Sequence, residues 1–208
     1  MKYTYPILFS AACLLFTSCE NPADKTKAAT VSEAVQVETA PATKGVTYRL
    51  SPNSQILFTG SKVTGSHSGG FKNFDGSFTI AGDSLIPSGQ KITIDMNSLW
   101  SDDEKLTGHL KSEDFFNVAK YPQSSFELTG LKSIAEGKFE VSGNLTLNET
   151  TKNITFPATA ALADGKASIQ AKFDINRQDF GIVYAGKADD LIRDEVVIEL
   201  KLEAIPEA

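Results

Sequence analysis

From Gly45 onward the chain alternates between apolar and polar residues with a period of two, which is the pattern of β-strands that have one buried face. The alternation is clearest between Phe139 and Leu147, where every odd position except Gly143 is apolar and every even position is polar. Asp164-Gly165 is a hairpin signal between two such runs. The strands predicted from this pattern cover residues 46–50, 54–63, 71–80, 91–96, 125–131, 139–147, 154–162, 167–175 and 196–202.

Eight or more strands in hairpin order predict an all-β, antiparallel meander. Long strands with one polar face leave unpaired edges unless the sheet closes, which favours an extended eight-stranded barrel. A two-sheet sandwich has the same periodicity and stays open as an alternative. The chain has 13 Phe and one Trp. Small residues that share the apolar face with these aromatics can line a tunnel or pack a tapering solid core, and the sequence leaves both open: Gly143, Ala158, Ala160, Ala167 and Ala171.

One passage, Ser101 to Phe126, is helical in character. Ser101 and Glu104 have the spacing of a capping box, and Ser112 can cap a second helical turn. Tyr121-Pro122 ends the helix, because the residue before proline is driven out of the α region. The sequence therefore predicts a short helical insert around 102–119 that closes one end of the barrel.

The N-terminus predicts export. Residues 1–18 contain an apolar stretch of signal-peptide length, and small residues precede Cys19 as in the bacterial lipobox. We expect cleavage there and acylation of Cys19, with an ordinary secretory signal as the alternative. Both cysteines of the chain, Cys13 and Cys19, lie in this region, so no thiol remains in the mature domain. The predicted location is the periplasmic side of the bacterial envelope, anchored through lipid, with the outer membrane favoured over the inner.

Composition divides the mature chain in two. Residues 19–44 comprise Cys19 and a segment rich in Ala, Thr, Glu, Lys and Pro without aromatic residues, which predicts a flexible tether. The folded domain then covers residues 45–208. The formal net charge is -6 and the lysines are interspersed with acids, so the basic stripe that nucleic acid binding requires is missing.

Four stretches of the chain resemble the signature regions of the YceI-like proteins, in the order and spacing of that family. They are His109 to Val118 followed by Lys120-Tyr121-Pro122, then Val141 to Leu147, Asn176 to Ile182, and Asp194 to Leu200. The chain departs from the family at Lys105 to Gly108, where an Arg-Asp pair is usual, and at Asn148-Glu149, which replaces a small glycine turn.

The resemblance implies a lipocalin-like barrel with a long apolar tunnel that binds polyisoprenoids, isoprenoid quinones or fatty amides, and no cofactor. It leaves open whether two barrels associate as a homodimer. His109 is expected to contact a head group near the mouth, and the alternative is that it caps the local helix. The residues expected to line or cap the tunnel are Phe115, Phe116, Phe126, Phe139, Phe156 and Phe173, with Ile94, Leu145, Ile154 and Ile169 as secondary choices.

Catalytic chemistry is hard to assemble from these residues. The chain has two histidines, His67 and His109, and the predicted loop Gly65 to Gly70 has His where a nucleophile elbow has Ser. Arg177 and Asp179 are expected to form a structural pair. We therefore expect a binding protein and not an enzyme. The alternative is a solidly packed barrel lipoprotein that serves as a structural or protein-interaction module without a ligand.

Overall fold

The computed structural model describes residues 20–37, 44–81, 84–86 and 90–207. The predicted signal peptide, Cys19 and residues 38–43 of the predicted tether lie outside these ranges. The strands, numbered in chain order, are β1 (Lys27–Ala28), β2 (Thr30–Glu33), β3 (Val46–Leu50), β4 (Gln55–Lys62), β5 (Gly65–Phe71), β6 (Phe74–Ala81), β7 (Ser84–Leu85), β8 (Lys91–Asp95), β9 (Leu99–Ser101), β10 (Gln123–Ala135), β11 (Lys138–Leu147), β12 (Thr150–Ala163), β13 (Lys166–Asn176), β14 (Gly186–Lys187), β15 (Asp190–Leu191) and β16 (Glu195–Pro206).

Within the described ranges, eleven of these strands form a closed, antiparallel barrel with eight strand positions, which we call staves. Three staves are bent and consist of two consecutive strands each, β3 with β4, β5 with β6, and β8 with β9; the other five are β10, β11, β12, β13 and β16. Each stave pairs with its neighbour in the chain, and β16 closes the ring by pairing with β13 on one side and with both β3 and β4 on the other. This confirms the predicted barrel and excludes the sandwich.

The first bent stave shows how the bends are held. Between β3 and β4 the backbone N–H of Ser51 donates to the carbonyl of Glu203, and the Ser54 hydroxyl bonds the same carbonyl at 2.9 Å. The Ser51 backbone and the Ser54 side chain therefore satisfy the β16 backbone where the strand ladder is interrupted.

The predicted loop around His67 is wrong: Gly65–Phe71 is strand β5, paired with β4 and β9. Its glycines permit close approach of the next stave, since a Cβ atom at Gly69 would lie 2.3 Å from the carbonyl oxygen of Trp100. The glycines suggested a loop in the sequence, but in the structure they leave room for the backbone of the adjacent strand.

The helical insert is present but shorter than predicted. Helix α1 covers Glu104–Lys111, and its N-cap is Asp103, whose carboxylate accepts the N–H of Leu106 at 2.8 Å. Ser101 supports this cap through its hydroxyl, which bonds the carbonyl of Asp103. Ser112 is the C-cap and starts no second helix; residues 113–116 and 118–120 form turns around Asn117, whose φ is 41°. Short 3-10 helices occur at Pro22–Lys25, Met96–Ser98 and Arg177–Phe180.

The predicted flexible tether is wrong for its described part, residues 20–37, which we call the N-terminal segment. Strands β12 and β13 pair with each other only over residues 158–163 and 166–171. Beyond that they separate, and β2 pairs with β12 while β1 pairs with β13, so the N-terminal segment fills the seam in the barrel wall. Ala29 and Val31 pack against the apolar core there, and the Asn144 side chain bonds both backbone polar groups of Val35.

Candidate ligand-binding cavity

The barrel encloses a cavity of about 1020 Å³. It extends from α1 and the β14–β15 hairpin at one end to the β10–β11 and β12–β13 hairpins at the other, and its wall is mainly aliphatic and aromatic. All the residues predicted as tunnel residues lie on this wall: Phe115, Phe116, Phe126, Phe139, Phe156, Phe173, Ile94, Leu145, Ile154, Ile169 and His109. Their contact with a ligand stays a prediction. The interior is hollow and not solidly packed.

Aromatic rings define the middle of the cavity. Phe156 and Phe173 stack at a centroid distance of 4.1 Å, and Phe126 tilts against Phe156 at 5.8 Å. Phe126 lies over Gly143, because a Cβ atom at that glycine would be 2.1 Å from the phenylalanine ring. The one exception to the alternation of β11 is therefore the residue that leaves room for an aromatic wall group.

Helix α1 and the turns after it cover one end of the barrel. Leu110 and Phe115 are buried with Leu99 and Ile182, and Phe116 packs both against this cluster and against the cluster that contains Ile94 and Met96. We call residues 104–121 the lid. Its phenylalanines were predicted from the sequence, but Leu106 and Leu110, which also line the cavity, were not. Their spacing of four residues on one helix face is the signal that could have identified them.

His109 lies where the lid meets the loop that precedes β14. Its Nε2 is 2.8 Å from a carboxylate oxygen of Asp114, and its ring meets Phe115 and Tyr184 edge-on at 5.0 and 4.9 Å. The ring is thus oriented by three neighbours while it remains on the cavity wall. Tyr184 also lines the cavity, and nothing in the alternation pattern pointed to it.

Polar groups surround this end of the cavity in pairs. Lys62 forms an ion pair with Asp190, and His67 Nδ1 is 2.8 Å from Asp102. The backbone N–H of Ser68 donates to Asp102, and this bond together with His67 lowers the pKa of the Asp102 carboxyl below its ordinary value. The carboxylate at the lid base is therefore held in its charged form by β5.

Arg177 is buried beside the cavity and has a structural role. Its guanidinium donates to the carbonyls of Arg193 and Ile182 and to the carboxylate of Asp194, at 3.2, 2.6 and 2.9 Å. The predicted pairing with Asp179 is wrong; the partner is Asp194, seventeen residues away. These bonds fasten the 182–194 loop, which carries Tyr184 to the mouth.

One polar side chain interrupts the apolar wall below the lid. Ser124 is 2% exposed and lines the cavity, and its hydroxyl has no hydrogen-bond partner among the described residues. Ser124 was not predicted as a wall residue, because a serine at the start of a strand is usual. Its position two residues before Phe126, on the same strand face, was the available signal.

The described ranges contain no group of three or more His, Cys, Asp or Glu side chains that could hold a metal ion. In the same ranges, each helix is too short or too polar to cross a bilayer.

Known proteins resemble this chain in sequence. A UPF0312 protein of Pseudomonas putida strain W619 is 35% identical over 167 residues, which cover 73% of this chain and 84% of that protein. The protein YceI of Salmonella arizonae is 37% identical over 123 residues, which cover 55% of this chain and 62% of that protein.

Solved structures resemble it in fold. BcnA of Burkholderia cenocepacia superposes with a TM-score of 0.64 at 22% identity, covering 72% of this chain and 95% of BcnA. A polyisoprenoid binding domain from Saccharophagus degradans, implicated in plant cell wall breakdown, also gives 0.64, at 18% identity over 79% of this chain and all of that domain. At these sequence identities, the similarity to the two structures supports the fold alone. The model of the YceI-like domain matches residues 48–204, and the chain therefore belongs to the YceI-like family.

Proposed function

We propose that this protein binds one long-chain amphiphilic lipid inside the barrel, of the class of polyisoprenoids, isoprenoid quinones or fatty amides. The observation that carries the proposal is the apolar cavity of about 1020 Å³ inside a closed barrel wall. Ligand cavities in proteins commonly measure about 300–1,000 Å³, so this one has room for a ligand at the large end of that range. The Saccharophagus degradans domain of the same fold, described as polyisoprenoid binding, supports the ligand class.

Burial of hydrocarbon supplies the affinity. Each buried methylene contributes about 0.8 kcal/mol, so ten of them give about 8 kcal/mol before the entropic costs of association are subtracted. A chain in contact with Phe126, Phe156 and Phe173 therefore needs few polar bonds for useful affinity. The same cavity is the argument against the alternative of a solidly packed structural module.

The binding test is native mass spectrometry followed by organic extraction of the purified protein. We expect a hydrophobic adduct, or uptake of added geranylgeraniol. Ala160→Phe fills the cavity from β12 and should reduce uptake strongly, whereas Thr159→Phe places the same side chain at the exposed neighbouring position and should not. Absence of any adduct and of uptake by the wild-type protein would sink the proposal.

The proposed role is that of a carrier or sequestering protein without catalysis. Support comes from the ionisable groups at the mouth, since His67, His109 and Lys62 are each engaged with a carboxylate of the wall or lid. None of the three faces a hydroxyl or thiol nucleophile in the contacts described above. A reaction product released from a bound probe ester or prenyl phosphate, detected by mass spectrometry, would contradict this assignment.

The proposed location is the periplasmic side of the envelope, with an acyl anchor on Cys19. Its support is the lipobox-like sequence before Cys19. Two or more acyl chains anchor a protein far more firmly than one. Cys19→Ala should move the protein from the membrane fraction to the soluble fraction, and unchanged membrane association of this variant would refute the anchor.

A further inference from the structure

The first described residues of the chain lie against the outside of the barrel at its lid end. The side-chain oxygen of Asn21 is 3.3 Å from the hydroxyl of Ser61, which stands one residue before the end of β4. Asn21 also caps the 3-10 helix Pro22–Lys25, which packs against β16. The Thr26 hydroxyl bonds the carboxylate of Asp174 on β13 at 2.6 Å. The chain is therefore fastened to the wall from its second described residue onward.

This attachment limits how far the barrel can stand from an acyl anchor. Cys19 is two residues before Asn21, and two residues of chain span at most about 7 Å. The hairpin end of the barrel is much farther away, because β16 alone runs over 12 residues, about 40 Å of strand, from Glu195 at the lid end to Pro206. An anchor on Cys19 therefore brings the lid end closer to the bilayer than the hairpin end.

Three exposed aliphatic side chains lie at this same end, and we call them the rim residues. Val63, in the turn after β4, is 55% exposed, Leu191 of β15 is 49% exposed, and Val183 in the 182–194 loop is 66% exposed. The first two are adjacent, since the Val63 N–H donates to the carbonyl of Leu191 at 3.2 Å. Exposed aliphatic groups that lie together commonly mark a surface that contacts a membrane or another protein.

The groups beside the rim residues suit the surface of a bilayer. The charge of Lys62 is offset by Asp190, and the Thr64 hydroxyl bonds the same carboxylate. Lys62, Asp190 and Ile192 also line the cavity. The edge that carries the rim residues is therefore continuous with the proposed lipid site.

The wall beside the 3-10 helix Pro22–Lys25 is charged instead. The carboxylate of Glu199 on β16 is 3.2 Å from the Nζ of Lys172 on β13 and 2.6 Å from the Nζ of Lys201. Ionic groups lose their hydration when they are pressed against hydrocarbon. An anchored barrel is therefore more stable with its lid end on the membrane than with this wall on it.

Resting on the proposed anchor at Cys19, we infer that the rim residues contact the lipid bilayer that holds the acyl chains. The barrel stands with its lid end on the membrane surface and its hairpin end in the aqueous phase. The acyl chains and the rim residues act together, as two membrane signals do in proteins that are stably anchored. A lipid that leaves the bilayer at this edge meets the cavity wall at Lys62 and Ile192.

The test introduces one cysteine at a time into the acylated full-length protein and labels it with the polarity-sensitive fluorophore NBD. With Cys13 removed in the signal peptide and Cys19 acylated, the mature chain offers no other thiol. On phosphatidylcholine vesicles, we expect the labels of Val63→Cys and Leu191→Cys to shift to shorter emission wavelengths. Lipids with a spin label on the acyl chain should also quench them.

The matched control is Ile134→Cys, because Ile134 is 56% exposed near the β10–β11 hairpin, at the opposite end of the barrel. Its label should keep the emission of a group in water. If the labels at Val63 and Leu191 behave like the one at Ile134 while the protein floats with the vesicles, this inference is overturned and the anchor stands.

Two further outcomes are distinguishable. A shift of the labels at Val63 and Leu191 without vesicles would show that a second copy of the chain covers the rim residues, which overturns the inference. Failure of the acylated wild type to float with vesicles would overturn the proposed anchor, and this inference with it.

Discussion

The side-chain amide of Asn148 donates a hydrogen bond of 2.9 Å to the carbonyl oxygen of Phe115 and so fastens the lid to the β11–β12 turn. The next residue, Glu149, accepts a hydrogen bond from the Tyr121 hydroxyl at 2.7 Å. Asn148 and Glu149 form the turn between β11 and β12. This turn thus supplies two hydrogen bonds that hold the lid at both of its turns.

Asn148→Gly should loosen the lid without breaking the turn. Asn148 has a φ of 52°, which glycine adopts without strain, so the substitution removes the amide and little else. We expect a loss of about 1 kcal/mol in lid stability and faster hydrogen exchange of the Phe116 amide, which bonds Leu110. Glu149→Gln, which alters the acceptor of the Tyr121 hydroxyl, is measured in parallel. Unchanged hydrogen exchange of the Phe116 amide in Asn148→Gly would show that the Asn148–Phe115 bond does not restrain the lid.

Gly143→Ala should narrow the cavity. The added methyl would lie 2.1 Å from the Phe126 ring, which must therefore swing into the lumen. Relative to the wild type, we expect Gly143→Ala to lose more affinity for a C20 isoprenoid than for a short C10 analogue, measured by competition. We also expect the free energy of unfolding to fall by about 1–3 kcal/mol from overpacking. Gly130→Ala on the neighbouring strand is the control, because its nearest neighbour would lie at an ordinary 3.7 Å. Equal effects of the two substitutions would contradict the role assigned to Gly143.

Asp102 should make the base of the lid sensitive to acid. Its folded-state pKa is lowered by the N–H of Ser68 and by His67, so its stabilising contribution is present above the unfolded pKa of about 3.9 and is lost as the pH falls through the folded value. The stability difference between wild type and Asp102→Asn, followed by urea unfolding, should therefore shrink from pH 6 toward pH 3. The comparison is repeated in a His67→Gln background, which separates the contribution of His67 from that of the Ser68 N–H. A stability difference that stays constant between pH 6 and pH 3 would refute the linkage.

The N-terminal segment should stabilise the barrel wall. Val31 of β2 stands opposite Ile154 and packs against the core, so Val31→Asp places a charge in that seam. We expect a loss of about 1–3 kcal/mol in the free energy of unfolding and faster exchange of the β12 amides. Thr30→Asp changes an exposed residue of the same strand and should have little effect. Equal stability of the two variants would mean that the seam closes without the segment.

The sequence by itself determined most of the barrel strands, their hairpin order, the presence of the lid helix and six of the phenylalanines that line the cavity, but it missed strand β5 and the lining residues Phe58, Phe71 and Phe78. These features depend on period-two alternation, capping and turn residues, all of which act over a few neighbouring positions. Even the exception at Gly143 was visible, although its reason, the ring of Phe126 on the adjacent strand, was not.

Only the tertiary structure decided what lies between the strands. The alternation of β12 is the same whether its neighbour is β13 or the N-terminal segment, so the composition of residues 20–37 could not reveal that they complete the wall. The sequence could not show that Arg177 pairs with Asp194, or that the buried Ser124 hydroxyl has no hydrogen-bond partner among the described residues. Both facts depend on how distant segments meet. The hollow interior has the same cause: inward-facing residues specify an apolar face, and the closure of eight staves sets how far apart opposite faces stand.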